Sequence, residues 1–260
     1  MFLLLILSGV NESKVQAEDD VLPITTDVAG IETKMAEYIE AHQDTTAGLA
    51  YSVFCGNEDL VTGYYGYADI ENHLAVDDET VFEWGSASKI MVWVSVMQLA
   101  EQGRLDLDAD IREYLPKDFL SNARYDTAIT MVNLMNHSAG FQEDYVDLFV
   151  KDCTDFTCLE DALAAHKPEQ IFEPGALTAY SNWSTALAAF VVERVSGMSY
   201  VEYVHQHIFE PLGMEHSAIA MDLSDNDWVA AKRKEPGSFF SHLLITIVEQ
   251  MSLTIITVSG

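Results

Sequence analysis

Phe82-Glu-Trp-Gly-Ser-Ala-Ser-Lys-Ile-Met-Val-Trp93 is the stretch on which the chain turns, together with its continuation to Tyr114-Leu115-Pro116. Gly85 reads as the last non-helical residue, which places Ser86 at the N-terminal end of a helix. From Ile90 to Gln102 the apolar residues Ile90, Met91, Val94, Met97 and Leu99 recur at helical spacing without an intervening proline. Gly103 then stands where a C-terminal glycine stops a helix. Ser86 and Lys89 are thus i and i+3, neighbours on one face of the first turn.

That spacing carries chemistry. A serine hydroxyl attacks poorly until a base removes its proton, and a desolvated lysine amine sheds its charge readily enough to be that base. The positive end of the helix favours negative charge developing on the serine oxygen. A Ser-x-x-Lys arises by chance on the order of once in a chain of this length, so position rather than occurrence gives it weight. A helix-capping serine followed by a surface lysine would show the same four letters.

Working outward, the 260 residues are 49% hydrophobic, enough for a full core in one or two domains. Forty-two acidic against 13 basic side chains give a formal charge of −29. Such a chain is repelled by nucleic acid and by anionic membrane surfaces, so neither is expected as a partner. The three cysteines fit no metal pattern. Cys153 and Cys158 are close enough for a small surface disulfide in an exported protein, and Cys55 reads as a buried strand thiol. No metal or organic cofactor is expected.

Residues 1–17 hold the apolar run Phe2 to Leu7, with Val15-Gln16-Ala17 resembling a leader-cleavage site. A secreted or extracytoplasmic location follows from that reading, although no basic residue precedes the run. A clipped start or a buried N-terminal strand would explain the same letters. The run is far too short to span a bilayer.

Asp27 to His42 reads as an amphipathic helix with Ile31, Met35, Tyr38 and Ile39 on one face. Ala47–Cys55 and Leu60–Ala68 read as strands about a turn, which suggests an antiparallel sheet with a helix packed on it. Helices are expected at Thr130–Met135, Leu159–His166, Thr185–Val195 and Tyr200–Phe209. Trp84 and Trp93 are expected in the core, and Arg112 and Glu113 on the surface.

Gly85-Ser86-Ala87-Ser88-Lys89, Gly103-Arg-Leu-Asp-Leu-Asp108 and Tyr114-Leu-Pro116 together resemble the serine β-lactamase and penicillin-binding protein superfamily. Asn136-His-Ser-Ala-Gly140, Pro174-Gly175 with Tyr180-Ser-Asn182, and Phe209-Glu-Pro-Leu-Gly-Met214 follow in the same order. The branch it is most similar to contains class C β-lactamases, D-alanyl-D-alanine carboxypeptidases and esterases, over roughly Ile31 to Lys234. The resemblance implies an α+β fold of the β-lactamase/DD-peptidase type: an antiparallel sheet with packed helices, a helical subdomain, and here an incomplete sheet. Residues 18–234 would form that domain.

By the same resemblance Ser86 is the acylated nucleophile, Lys89 its proton-transfer partner and Tyr180 a general base or acid. Asn182 would bind the substrate amide and help position Lys89, and the Ser86 N–H would be half of an oxyanion hole. His137 belongs to a structural turn. The implied substrate is a small molecule or peptide: a β-lactam, a D-alanyl peptide or a small ester.

Residues 235–260 depart from the family pattern. Leu243–Val248 and Leu253–Val258 are β-prone apolar runs, and Val258-Ser259-Gly260 only echoes the Lys/His-Thr/Ser-Gly element that lines the cleft in relatives. Strands completing the sheet, a frameshift and a fragmentary gene would each produce such an atypical apolar tail. A truncated, non-catalytic homologue is therefore the alternative to a working serine hydrolase.

Overall fold

A computed structural model describes residues 28–42, 45–55, 58–143, 158–232 and 255–256. The chain separates into two compact units, Met1–Glu79 with Val258–Gly260, and Thr80–Thr257.

In the first unit, helix α1 (Val28–Ala41) precedes an antiparallel hairpin of β1 (Gly48–Cys55) and β2 (Glu58–Asp69). Strand β3 (Leu74–Ala75) extends it in the order β1-β2-β3. The expected stripe is present on α1: Ile31, Met35, Tyr38 and Ile39 are half-buried while Glu32, Thr33, Ala36 and Glu37 are exposed, and α1 packs on β2. The ladder runs from Gly48 opposite Gly66 to Cys55 opposite Glu58, with a register shift between Val53 and Phe54. Past that bulge the strand turns outward. Phe54 is 66% exposed, and Cys55 is an exposed free thiol rather than the buried one expected from its apolar neighbours.

The second unit is helical. A 3-10 turn, Gly85–Ser88, leads directly into α2 (Lys89–Glu101). Next come α3 (Met131–Met135), α4 (Leu159–Ala165) and the long α5 (Asn182–Ser196). Helix α6 (Tyr200–Val204) continues through a π-helical turn, His205–Phe209, into α7 (Glu210–Leu212). Strand β4 (Ser217–Ala218), α8 (Asp227–Lys232) and β5 (Ile255–Ile256) complete it, with β5 antiparallel to β4.

Helix α5 is the axis of this unit. Every residue from Asn182 to Val192 is buried, and α2, α3, α4 and α6 all pack against it. Ser181 caps it by accepting from the Ser184 N–H at 3.1 Å, and Gly197 ends it in the left-handed region at φ 76°. Its small residues, Ser184, Ala186, Ala188 and Ala189, let neighbours approach from every side.

Helix α2 differs from the expectation in one respect. Met91 and Leu99 are inside, joined by Val92, Ser95 and Val96, but Ile90 is 47% and Met97 41% exposed. Nine of its thirteen residues are apolar, so several faces satisfy the helical period, and packing against α5 selects among them. Trp84 and Trp93 are half-buried against the core. Arg112 is held by Asp110 at 2.7 Å and donates to the Tyr125 carbonyl at 3.3 Å, so it braces a loop instead of lying free on the surface.

Cys153 and the segments 1–27, 144–157 and 233–254 lie outside the described residues. The leader reading of residues 1–17, the Cys153–Cys158 pairing and most of the apolar tail lie there too. Cys158 itself is an exposed free thiol.

Candidate active site

The sharp entry into α2 begins at Gly85, whose φ of +49° lies in the left-handed region that glycine enters without steric cost. Ser88 Oγ donates to the Gly85 carbonyl at 2.6 Å and closes the turn. The turn leaves Ser86 exposed and Lys89 only 4% exposed, so nucleophile and amine sit at different depths on one face. Lys89 Nζ donates to Ser86 Oγ at 3.0 Å.

Tyr180 arrives from the other side, on the loop that enters α5. That loop is tied to the Asn136–Gly140 turn by two backbone bonds, Gly175 N–H to the Ser138 carbonyl at 2.8 Å and Ala179 N–H to the His137 carbonyl at 2.7 Å. His137 adopts a left-handed φ of 53°, and its ring lies 4.4 Å from that of Tyr180. Its Nδ1 accepts from the Ser181 N–H at 3.3 Å. Tyr180 Oη donates to Ser86 Oγ at 2.8 Å, and the Lys89 ammonium lies 5.2 Å from the Tyr180 ring centroid. Two side chains, one from each of two helix starts, thus converge on the Ser86 hydroxyl oxygen.

Burial sets the charges. Desolvation lowers the Lys89 amine to about 8, with the Glu143 charge opposing it. The His137 imidazole is held below its usual value, first by burial and then by the Lys89 charge. A neutral imidazole can present Nδ1 as the acceptor that the Ser181 N–H requires.

Asn182 is the first residue of α5 and is 5% exposed. Its backbone N–H donates to Glu143 Oε2 at 2.6 Å and its Nδ2 to Glu143 Oε1 at 2.9 Å. Among the described residues its Oδ1 has no hydrogen-bond partner, and the atom is buried. Asn182 therefore makes no hydrogen bond to Lys89 here.

Glu143 is the member of the cluster that sequence reading missed. Among 42 acidic residues nothing marks it except its place just after the Gly140 turn. Gly140 has φ +84°, and a Cβ there would fall 2.0 Å from the Phe172 carbonyl oxygen. That close approach lets the Gly140 carbonyl accept from the Ile171 and Phe172 N–H groups at 2.9 and 3.2 Å. The Gln142 N–H donates to the Glu169 carbonyl at 2.9 Å, and buried Gln170 donates to the Ala139 carbonyl at 2.8 Å. Glu143 thus leaves a well-anchored segment.

Among the described residues no group of His, Cys, Asp and Glu side chains could hold a metal ion, and no helix is long and apolar enough to cross a membrane.

The fold is that of the β-lactamase/DD-peptidase type, with helices and a small open antiparallel sheet. It is similar to the crystal structure of a beta-lactamase/D-alanine carboxypeptidase from Yersinia pestis complexed with citrate (TM-score 0.70, 21% identity, covering 88% of this chain and 64% of that one). It is also similar to a class C beta-lactamase (TM-score 0.68, 22% identity, 89% and 63%). The chain belongs to the Beta-lactamase family, whose model matches residues 32–240. Among curated relatives, Protein flp of Staphylococcus aureus (strain MW2) is 28% identical over 160 residues, 59% of this chain and 31% of that protein. The chain spans between 31% and 44% of the length of the first curated relatives it matches.

Proposed function

We propose that this chain is a serine hydrolase that forms an acyl-enzyme at Ser86 from a β-lactam, a D-alanyl peptide or a small ester. The observation that carries the reading is the convergence of Lys89 Nζ and Tyr180 Oη on Ser86 Oγ, at 3.0 and 2.8 Å. Membership of a family of serine hydrolases supports it.

In this reading Lys89 acts in its neutral form, which burial makes accessible near pH 8. It takes the Ser86 proton as Oγ bonds to the substrate carbonyl carbon. The carbonyl electron pair moves onto oxygen, where the Ser86 backbone N–H and the positive end of α2 stabilise it. Collapse of that intermediate breaks the bond to the leaving group, which receives a proton through Tyr180. Water then attacks the ester, with the same groups running the proton transfers in reverse. Asn182 is the substrate-binding residue of this scheme. Its Oδ1, buried and without a partner among the described residues, is the acceptor that an amide N–H of the substrate would take.

The test is intact-mass spectrometry after incubation with benzylpenicillin, comparing the chain with its Ser86→Ala variant. An adduct of one acyl group on the parent and none on the variant is the expected result. No adduct on a folded parent, with ester and D-alanyl peptide probes also inert, would favour the non-catalytic homologue. Labelling of both proteins would place the reactive group elsewhere.

A further inference from the structure

Glu143 commits both carboxylate oxygens to Asn182, one to the main chain and one to the side chain. A bond from a helix's first N–H to a carboxylate is an ordinary way to satisfy an orphan donor. The second bond is not needed for that purpose, and it has a directional consequence. With Nδ2 engaged, Oδ1 is the atom left over, buried and unpartnered among the described residues. Turning the amide over would set Oδ1 against Glu143 Oε1, acceptor against acceptor. One side chain therefore decides which end of the Asn182 amide is left without a partner.

Glu143 also acts on Lys89 through space. Among the described residues, Ser86 and Tyr180 share the amine's hydrogen-bonded cluster, and His137 and Glu143 are coupled to its charge. Of these, Glu143 is the carboxylate.

We propose that Glu143 is a positioning residue for acyl transfer at this site: its carboxylate clamps the Asn182 amide with Oδ1 left free, and supplies the negative charge against which Lys89 works. The catalytic meaning rests on the serine-hydrolase reading; the effect on Lys89 does not. Replacing the carboxylate with a neutral group removes an attraction for the ammonium form, so the neutral amine appears at lower pH.

The experiment is competitive acetylation of the full chain with acetic anhydride across pH 6 to 10, with Lys89 followed by peptide mass spectrometry. The parent is compared with Glu143→Gln and Glu143→Asp, and the rate of benzylpenicillin adduct formation is recorded over the same range. In Glu143→Gln the Lys89 midpoint is expected to fall by about half a pH unit or more. The acid limb of the adduct profile should move with it, and the plateau rate should drop several-fold as Asn182 loses a partner. Glu143→Asp keeps the charge and shortens the reach, so its midpoint should stay near the parent's while its plateau falls. Unmoved midpoints and rates in Glu143→Gln would overturn the proposal. Should that variant fail to fold by circular dichroism, an unreduced plateau in Glu143→Asp would overturn it instead. A shifted Lys89 midpoint in a chain whose parent takes no penicillin would support the role of Glu143 and count against the β-lactam reading.

Discussion

Helix α5 is buried on every side from Asn182 to Val192, whereas α2 buries the face carrying Met91, Val92, Ser95, Val96 and Leu99 and leaves Ile90 and Met97 exposed. Yet α2 is the more apolar of the two, with nine apolar residues in thirteen against nine in fifteen. Apolar content therefore does not rank them by burial. Small side chains do better: the alanines and serines of α5 let four other helices close on it, while on α2 the bulkier Ile90 and Met97 stay exposed. Each helix carries part of the site at its N-terminal end, Ser86 and Lys89 before and at the start of α2, Tyr180 and Asn182 before and at the start of α5. Each start pairs an exposed hydroxyl residue with a buried polar one, Ser86 with Lys89 and Tyr180 with Asn182.

The largest effect should come from cutting the link between the two helix starts. Tyr180→Phe keeps the ring against His137 and removes Oη, so penicillin acylation should slow by about 10²- to 10⁴-fold with folding unchanged. An undiminished rate, measured by time-resolved intact mass, would show that the α5 end is not part of the chemistry.

Next, Leu187→Ala in the packed interior of α5 should cost about 2–5 kcal/mol in urea unfolding, because Leu187 is fully buried and its neighbours cannot collapse into the space. A loss under 1 kcal/mol would remove the claim that α5 is the rigid partner.

Lys89 gives a pH-dependent contrast. Its folded value, about 8, lies below the ordinary 10.5, so the unfolded chain binds a proton that the folded chain does not between those limits. Stability contributed through Lys89 therefore rises with pH across that window, and at pH 7 the buried charge costs on the order of 3 kcal/mol. Lys89→Met should be more stable than the parent near neutrality, and the gap should narrow by pH 10. A gap independent of pH would mean that burial does not set the amine's charge. The smallest effect belongs to the exposed apolar positions of α2, where Ile90→Thr or Met97→Gln should change stability by no more than about 0.5 kcal/mol. A loss above 1.5 kcal/mol would show that this face is covered in solution.

Much of this was legible in residue order. The entry into α2 at Gly85, its end at Gly103, the α1 stripe and the β1–β2 hairpin all follow from local rules of spacing and turn chemistry. Ser86 and Lys89 could be paired on paper because three residues of helix bring them together. Tyr180 and Asn182 were reachable only through resemblance, since 94 residues separate Tyr180 from Ser86. Glu143 was not reachable at all: one carboxylate in a strongly acidic chain carries no mark in the sequence. The fate of Cys55 depended on a bulge, and that of Ile90 on which of several apolar faces met α5.

By itself the sequence determined where the elements begin and end, and which hydroxyl and amine share a helical turn, because those are short-range properties of the backbone. Tertiary structure alone decided which face of α2 is dry, how far the Lys89 amine is stripped of water, and which carboxylate holds Asn182. Those properties depend on what surrounds a side chain in space, and desolvation and charge act across that space without regard to distance along the chain.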